Sequence, residues 1–303
     1  MAIQNFTVCI TGATGWLGQS LLHANRDPLK QYHFDAFGRS KSEIITDSGT
    51  SIQNRLFDLN EITSKEYDLF APLAFATRDR SLQMGDQEYI DLNKAIVMEA
   101  ASVIRAGNVG SVLNISSGVV IKESESQLND KSYSIYADLK RYQEDVFANE
   151  CNSVGIPLIN CRVFSLSGQD MKEPSKYAIG NLLIQAISTG SIELSSKGSV
   201  VRRYMDSRDL MTLLLEYVIR GDSISVESGG EKIDLIQLAK QVLKLCGHSP
   251  DSITYADTSN TLSNEYFSSE NHFEKIADET NYTLADIKNQ IGNVAKSLKR
   301  FGS

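Results

Sequence analysis

A chain of 303 residues, 41% hydrophobic and 22% charged with only 5 prolines, is long enough to bury a large core and too ordinary in composition for disorder. Its formal net charge of −8, with no basic run longer than a pair such as Arg202-Arg203, argues against nucleic acid or an anionic membrane surface as partner. No apolar run approaches the roughly 18 residues of a spanning helix, and the opening Met-Ala-Ile-Gln-Asn has neither the basic end nor the apolar stretch of a signal peptide, so a cytoplasmic chain is expected.

In chain order, short apolar runs over 6–10, 34–37, 69–75, 112–115 and 157–164 read as strands. Between them, residues 16–25, 83–106 and 133–154 repeat apolar side chains at three- and four-residue spacing and read as helices. Strands alternating with helices predict an α/β fold: a doubly wound, Rossmann-like parallel sheet covered on both faces. After Gly168 the rhythm changes to helices near 176–189, 206–219, 233–246 and 283–300, joined by Ser-, Gly- and Asn-rich loops, which predicts a smaller C-terminal substrate-binding subdomain. The expected division is 1–165 for dinucleotide binding, with return segments from about 206–230, and 166–303 mainly for substrate, with a cleft between. The acidic, serine-rich stretch 122–131 reads as a surface loop. Cys9, Cys151, Cys161 and Cys246 fall in apolar patterns without Cys-x-x-Cys or clustered histidines, so buried free thiols are expected and no metal site.

The first strand runs into Thr11-Gly12-Ala13-Thr14-Gly15-Trp16-Leu17-Gly18 and then a helix. Three glycines at this place fit a dinucleotide-binding turn: one permits the bend, one lets a pyrophosphate approach the backbone, one lets helix and strand pack closely. The phosphates would meet the amides and positive end of the helix. At the end of the second strand, where an acid would grip the ribose hydroxyls of NAD, stand Gly38-Arg39-Ser40. Arginine suits a 2′-phosphate, so NADP is the expected cofactor, with NAD the alternative. Arg39 as a mere solvated strand-end charge is the competing reading, and Asp35 lies too early in the strand to replace the acid. Asp58-Leu59 either flank the adenine or simply start a turn.

Tyr136-Ala137-Asp138-Leu139-Lys140 puts a phenol and an ammonium on one helix face, which by itself is ordinary surface decoration. Ser117, nineteen residues upstream at the end of the preceding strand, supplies the joint logic. A phenol of pKa about 10 is a poor acid–base group near neutrality, an adjacent ammonium favours phenolate, and the serine hydrogen-bonds the reacting oxygen. With these residues the sequence resembles the extended short-chain dehydrogenase/reductase family, the NAD-dependent epimerase/dehydratase group acting largely on nucleotide sugars. The resemblance covers most of the chain: the glycine motif, Leu73-Ala74-Phe75 as a fourth-strand cofactor wall, Asn93 as the helix asparagine, Ser116-Ser117-Gly118-Val119-Val120, Tyr136 with Lys140, Arg162 to Gly168, and Arg202-Arg203-Tyr204-Met205 with Asp209-Leu210. It implies that Ser117 polarises the sugar oxygen, Tyr136 transfers the proton, and Lys140 holds the ribose and lowers the Tyr136 pKa. It also implies that Arg202 grips a diphosphate, that Asn181 and Leu182 cover the sugar-phosphate and base, and that Ser165 meets the sugar. Arg203 and Arg208 are read as a surface charge and a helix-start ion-pair partner.

The departures narrow the chemistry. Gly118-Val119 stand where dehydratases carry an Asp-Glu pair, and His23, His33, His248 and His272 lie far from the strand ends that an epimerase-reductase would need. Ser165 and Pro72 replace a common Asn and His. The expectation is an NADPH-dependent reductase of a nucleotide-linked keto sugar, at carbon 4. A 4-epimerase with tightly bound NAD is the near alternative, and a catalytically silent cofactor-sensing regulator the distant one. The resemblance further implies a role in polysaccharide synthesis and a homodimer built on helices 83–106 and 133–154, with Ile96, Val97, Ala100, Tyr142 and Val146 as part of its face; the competing reading is that these residues only cover the sheet.

Overall fold

The computed structural model describes residues 4–24, 30–80, 83–121, 131–257 and 264–301, so the stretch 122–130 lies outside the described residues. A sheet of eight strands forms the larger part of the molecule. It contains β1 (Gln4–Thr11), β2 (Lys30–Gly38), β3 (Ser42–Ile45), β4 (Ser51–Leu56), β5 (Leu69–Pro72), β6 (Val112–Ser117) and β7 (Leu158–Val163). β8 (Ser165–Ser167), β9 (Ile192–Ser196) and β10 (Val200–Asp206) belong to the second lobe, and β11 (Ile224–Glu227) returns to the large sheet beside β7. The spatial order is β11-β7-β6-β5-β1-β2-β4-β3, parallel throughout except for β3.

The central strands are buried on both sides, with all four residues of β5 and all six of β6 buried, whereas β3 and β4 at the edge expose alternate residues. Alternating residues of β1 feed two cores. Val8 and Ile10 join Leu21, Leu69, Leu113 and Leu214 on one face, whereas Cys9 joins Phe37, Phe70, Val97, Ile104 and Phe147 on the other. The first core is covered by α1 (Trp16–Leu22) and, beyond it in the chain, α6 (Ser207–Arg220); the second by α2 (Leu59–Thr63), α3 (Asp86–Arg105) and α4 (Lys131–Val154). Each such fully buried side chain contributes about 1.5–3 kcal/mol.

The second lobe comprises α5 (Ala178–Thr189), α7 (Leu235–Leu245) and α9 (Ile287–Phe301), with α8 (His272–Glu279) lying against the large sheet's side. Its own strands are β8–β10, β12 (Glu231–Asp234), β13 (Ile253–Asp257) and β14 (Asn264–Tyr266); β10 is flanked by β12, β14 and β8, and β9 pairs β13. Ile179, Leu183, Ile192, Leu238, Val242, Ile291 and Val294 form its separate core. Aspartates cap α6 and α7: Asp206 accepts from Arg208 N at the start of α6 and Asp234 from Ile236 N at the start of α7.

One expectation changes: the helix read near 283–300 begins only at Ile287. The edge strand β3 pairs antiparallel with β4. Of the residues offered as a dimer face, Val97 and Ala100 are buried against the sheet, Tyr142 and Val146 are partly buried on the same core, and Ile96 is half-buried. Cys9, Cys151 and Cys161 are buried free thiols, and Cys246 is half-buried. Among the described residues, no helix is long and apolar enough to cross a membrane.

Candidate active site

The chain leaves β1 toward β2 and leaves β5 toward β6, so the sheet's order reverses between β1 and β5, the place where such sheets open a ligand crevice. There the Leu73 amide donates to the Thr11 carbonyl at 3.0 Å. Gly12 turns the chain at φ +75°, and a Cβ on it would lie 2.6 Å from the Ala74 backbone nitrogen. Gly18 similarly admits the Gly12 carbonyl and the Ala13 backbone, so α1 can lie against the turn. Gly15 caps α1 with no side chain, leaving first-turn amides for a ligand.

Two adjoining cavities follow this turn. The larger, about 730 Å³, is lined by Gly12, Gly15, Trp16, Leu17 and Gly18 on one side, and Phe75, Ser117, Tyr136 and Lys140 on the other; Ser165 and Arg202 line it from the second lobe. The smaller, about 460 Å³, shares Gly12, Gly15, Leu73 and Phe75 with it, and is lined by Thr14, Arg39, Ser40 and Ala74. Arg80 joins Arg39 there, and among the described residues neither is paired with a carboxylate. Asp35 faces elsewhere: Arg55 at 2.6 Å, Lys65 at 2.7 Å and Tyr67 at 2.8 Å occupy its carboxylate.

Three sequence-assigned cofactor contacts have other tasks. Asp58 caps α2 by accepting from Asn60 N and Glu61 N, and Leu59 opens that helix; neither lines the trough, whereas nearby Phe57 does. Asn93 is fully buried, and its amide binds both backbone groups of Ala76, holding the loop that carries Phe75.

At the chemical end, Ser117 closes β6 and accepts weakly from Val119 N at 3.4 Å. Tyr136 and Lys140 sit one turn apart on α4. The Phe75 ring lies between them, edge-on to Tyr136 at 6.0 Å and 3.8 Å beneath the Lys140 amine. Burial pushes the Tyr136 phenol up to about 12 despite a hydrogen bond from Ser117, and burial brings Lys140 down to about 7, opposed by the Glu144 charge. This corrects the expected lowering of Tyr136 by Lys140. The amine is turned to the Ile115 carbonyl at 3.0 Å and Gln143 Oε1 at 2.9 Å, so burial governs the phenol instead.

The second lobe completes the cavity with Tyr177, Tyr204, Arg202 and Tyr266. Arg202 Nη1 donates to the carbonyls of Val201 at 2.8 Å and Asn264 at 3.1 Å, and no described carboxylate pairs with it. Its neighbour Arg203 is not the surface charge expected from sequence: its guanidinium binds the Gly230, Ser268 and Glu270 carbonyls and pairs with Glu274 at 2.9 Å. Arg208 is the expected ion-pair residue, bound to Asp170 and Asp47. Asn181 is exposed and accepts from Gln185, while Leu182 is 3% exposed in the second core; the cavity is reached by Tyr177 and Ala178 from this region instead. Sequence reasoning missed Tyr266, whose phenol lies within hydrogen-bond reach of Ser117 and is raised by burial. Its strand, β14, is only three residues long and shows no period.

The model of the NAD-dependent epimerase/dehydratase family matches residues 8–226. The chain belongs to that family. No curated protein sequence matches it significantly. Solved structures similar to this family member include a UDP-N-acetylglucosamine 4-epimerase from Methanobrevibacter ruminantium in complex with UDP-N-acetylmuramic acid, at 17% identity and TM-score 0.75, covering 98% of this chain and 99% of that one. MoeE5 in complex with UDP-glucose and NAD is 18% identical at TM-score 0.71, with 98% and 100% covered. A double mutant of DesIV, a dTDP-glucose 4,6-dehydratase from Streptomyces venezuelae, with NAD bound, is 15% identical at TM-score 0.68, with 97% and 98% covered. At these identities the likeness concerns the fold.

Proposed function

We propose that the protein is an NADP-dependent oxidoreductase that reduces a keto group of a nucleotide-linked sugar, at carbon 4. The observation carrying this reading is that one cavity is lined by the glycine turn, by Ser117, Tyr136 and Lys140, and by Arg202. The residues fit a dinucleotide. Gly12 lets the turn close against the Leu73–Ala74 backbone and face the cavity, the first-turn amides of α1 suit a pyrophosphate, and Arg39 with Arg80 at the far end suits a 2′-phosphate. Lys140 would hold the nicotinamide ribose. When bound, the reduced dinucleotide supplies a hydride to the carbonyl carbon.

The chain's own residues do the rest. Ser117 O–H donates a hydrogen bond to the carbonyl oxygen and polarises it. Tyr136, raised to about 12 by burial, is protonated near neutrality and donates its proton to that oxygen as the C–H bond forms. Arg202, half-buried and without a counter-anion among the described residues, binds the diphosphate. Tyr204 and Tyr266 shield the sugar from water.

A second reading, a 4-epimerase using retained NAD, is favoured by the similar 4-epimerase structure. Epimerisation cycles Tyr136 between base and acid with one retained NAD, whereas the arginine-rich end of the trough suits an exchanged NADPH and favours net reduction. The test is the loss of reduced-nicotinamide absorbance with NADPH or NADH over a panel of nucleotide keto sugars, beside an epimerisation assay with NAD. Turnover with NADPH and a keto sugar supports the reductase. Epimerisation by protein retaining NAD, without NADPH consumption, replaces it.

A further inference from the structure

Lys140 is fixed by groups that carry no charge. Its Nζ donates to the Ile115 carbonyl at 3.0 Å and to Gln143 Oε1 at 2.9 Å, and it lies 3.8 Å from the centre of the Phe75 ring. Lys140 is 6% and Gln143 2% exposed, and both line the larger cavity. Gln143 follows Lys140 by three residues on α4, the spacing that brings side chains together on one helix face.

The titratable groups around the amine are otherwise engaged. On α4 these are Tyr136 and Glu144; Glu144 is claimed by Arg162 of β7, at 2.6 Å. Tyr133 of the same helix also lines the cavity; from β6 come the Ile115 carbonyl and the hydroxyls of Ser116 and Ser117, from the loop after β5 the Phe75 ring, and across the cavity the phenol of Tyr266. No unpaired carboxylate faces Nζ among the described residues.

We infer that Gln143 is a positioning residue: its amide oxygen holds the Lys140 amine at the cofactor cavity through a neutral acceptor, leaving the ammonium's third N–H for the ribose of the dinucleotide. This rests on the cavity taking a dinucleotide. A carboxylate in the same place would hold the ammonium permanently, whereas the amide leaves the amine to titrate in the range to which burial has brought it, about 7.

The experiment uses the whole protein with lysines carbon-13 labelled at Cε, so that a resonance titrating near neutrality can be assigned by its loss in Lys140→Met. Gln143→Glu should move that titration up by about 1–3 pH units, as an opposite charge within contact distance does. Gln143→Met keeps length and apolar stem, so it preserves packing while removing the acceptor. It should weaken NADPH binding at neutral pH by about 5–10-fold, the loss of one hydrogen bond, measured by titration without any sugar. A Lys140 resonance that titrates in Gln143→Glu as it does in the parent overturns the contact, and unchanged NADPH affinity in Gln143→Met overturns the positioning role. A parent protein that binds neither NADPH nor NADH overturns the cofactor reading itself, and does so without reference to the lysine titration.

Discussion

Two regions of this molecule bury ionisable groups and treat them in opposite ways. At the seam between the lobes, Asp170 is fully buried and receives Arg208 through two nitrogens at 2.7 and 2.8 Å, with His23 Nδ1 at 3.1 Å and Ser20 at 3.3 Å. Asp47 takes the remaining side of Arg208 at 2.7 Å. Burial alone would raise Asp170; the hydrogen bonds and charges of Arg208 and His23 outweigh it and hold the acid down to about 2. In the cavity, Lys140 is buried too and Arg202 half-buried, yet their partners are carbonyls, an amide and aromatic rings. A buried charge with its counterion in place is a fastener, because removing either partner strands the other. One facing only neutral acceptors is kept for an anion or hydroxyl that arrives with a ligand. Arg202 and Arg203 repeat the contrast at adjacent positions of one strand.

Exchanging single groups in each region breaks the comparison if it is wrong. Tyr136→Phe removes one hydroxyl from the cavity and should lower kcat by a factor on the order of 10² to 10⁴, leaving NADPH affinity and melting temperature unchanged. Near-native turnover would assign the proton to another group, with Tyr266 the first to examine.

Arg208→Ala, at the seam, should do the reverse. It leaves Asp170 buried without its main partner and should cost about 3–5 kcal/mol of stability in denaturant unfolding. The pH dependence has a definite sign: Asp170 goes from an ordinary value of 3.8 to about 2 on folding, so its stabilisation is complete above the first value and is lost as pH falls toward the second. The parent should therefore lose this contribution between about pH 4 and pH 2, whereas in Arg208→Ala burial raises Asp170 again and the part of the acid limb due to it should shrink or vanish. A variant with parental stability and an unchanged acid limb would reduce the seam to incidental pairing.

Much of this was legible in the sequence because it is periodic or because backbone geometry permits only one residue. The glycine turn, the parallel strands and the long helices α3 and α4 follow from apolar spacing, and Gly12 and Gly18 from close backbone approach. Ser117, Tyr136 and Lys140 were legible as a constellation, and they do line one cavity. What escaped depended on long-range packing. Leu182 has the apolar side chain of a candidate base cover, but α5 turns it into the second core. Arg203 follows Arg202 on a strand and so points away from it, yet the loops carrying Gly230 and Ser268 cover that face as well. The direction in which Lys140 turns, toward Gln143 and not Tyr136, follows from the burial of α4 against β6.

Arg39 is a third kind of charge, exposed and without a carboxylate partner among the described residues, at the far end of the trough from Lys140. Its exposure allows solvent screening, so its removal should have a smaller effect than that of the Tyr136 hydroxyl or the Arg208 guanidinium. If it pairs with a 2′-phosphate, Arg39→Ala should weaken NADPH binding by about 1.5–3 kcal/mol, the range of a hydrogen bond to a charged group, with NADH nearly unaffected. Arg80 lines the same cavity and can take part of the load, so Arg39→Ala combined with Arg80→Ala should lose more NADPH affinity than either change alone. Rising ionic strength should diminish the difference between the two cofactors, since an exposed pair is screened where the Asp170 cluster is not. Equal losses for NADPH and NADH would place both arginines on a part of the dinucleotide common to the two, and would remove the reason for preferring NADP.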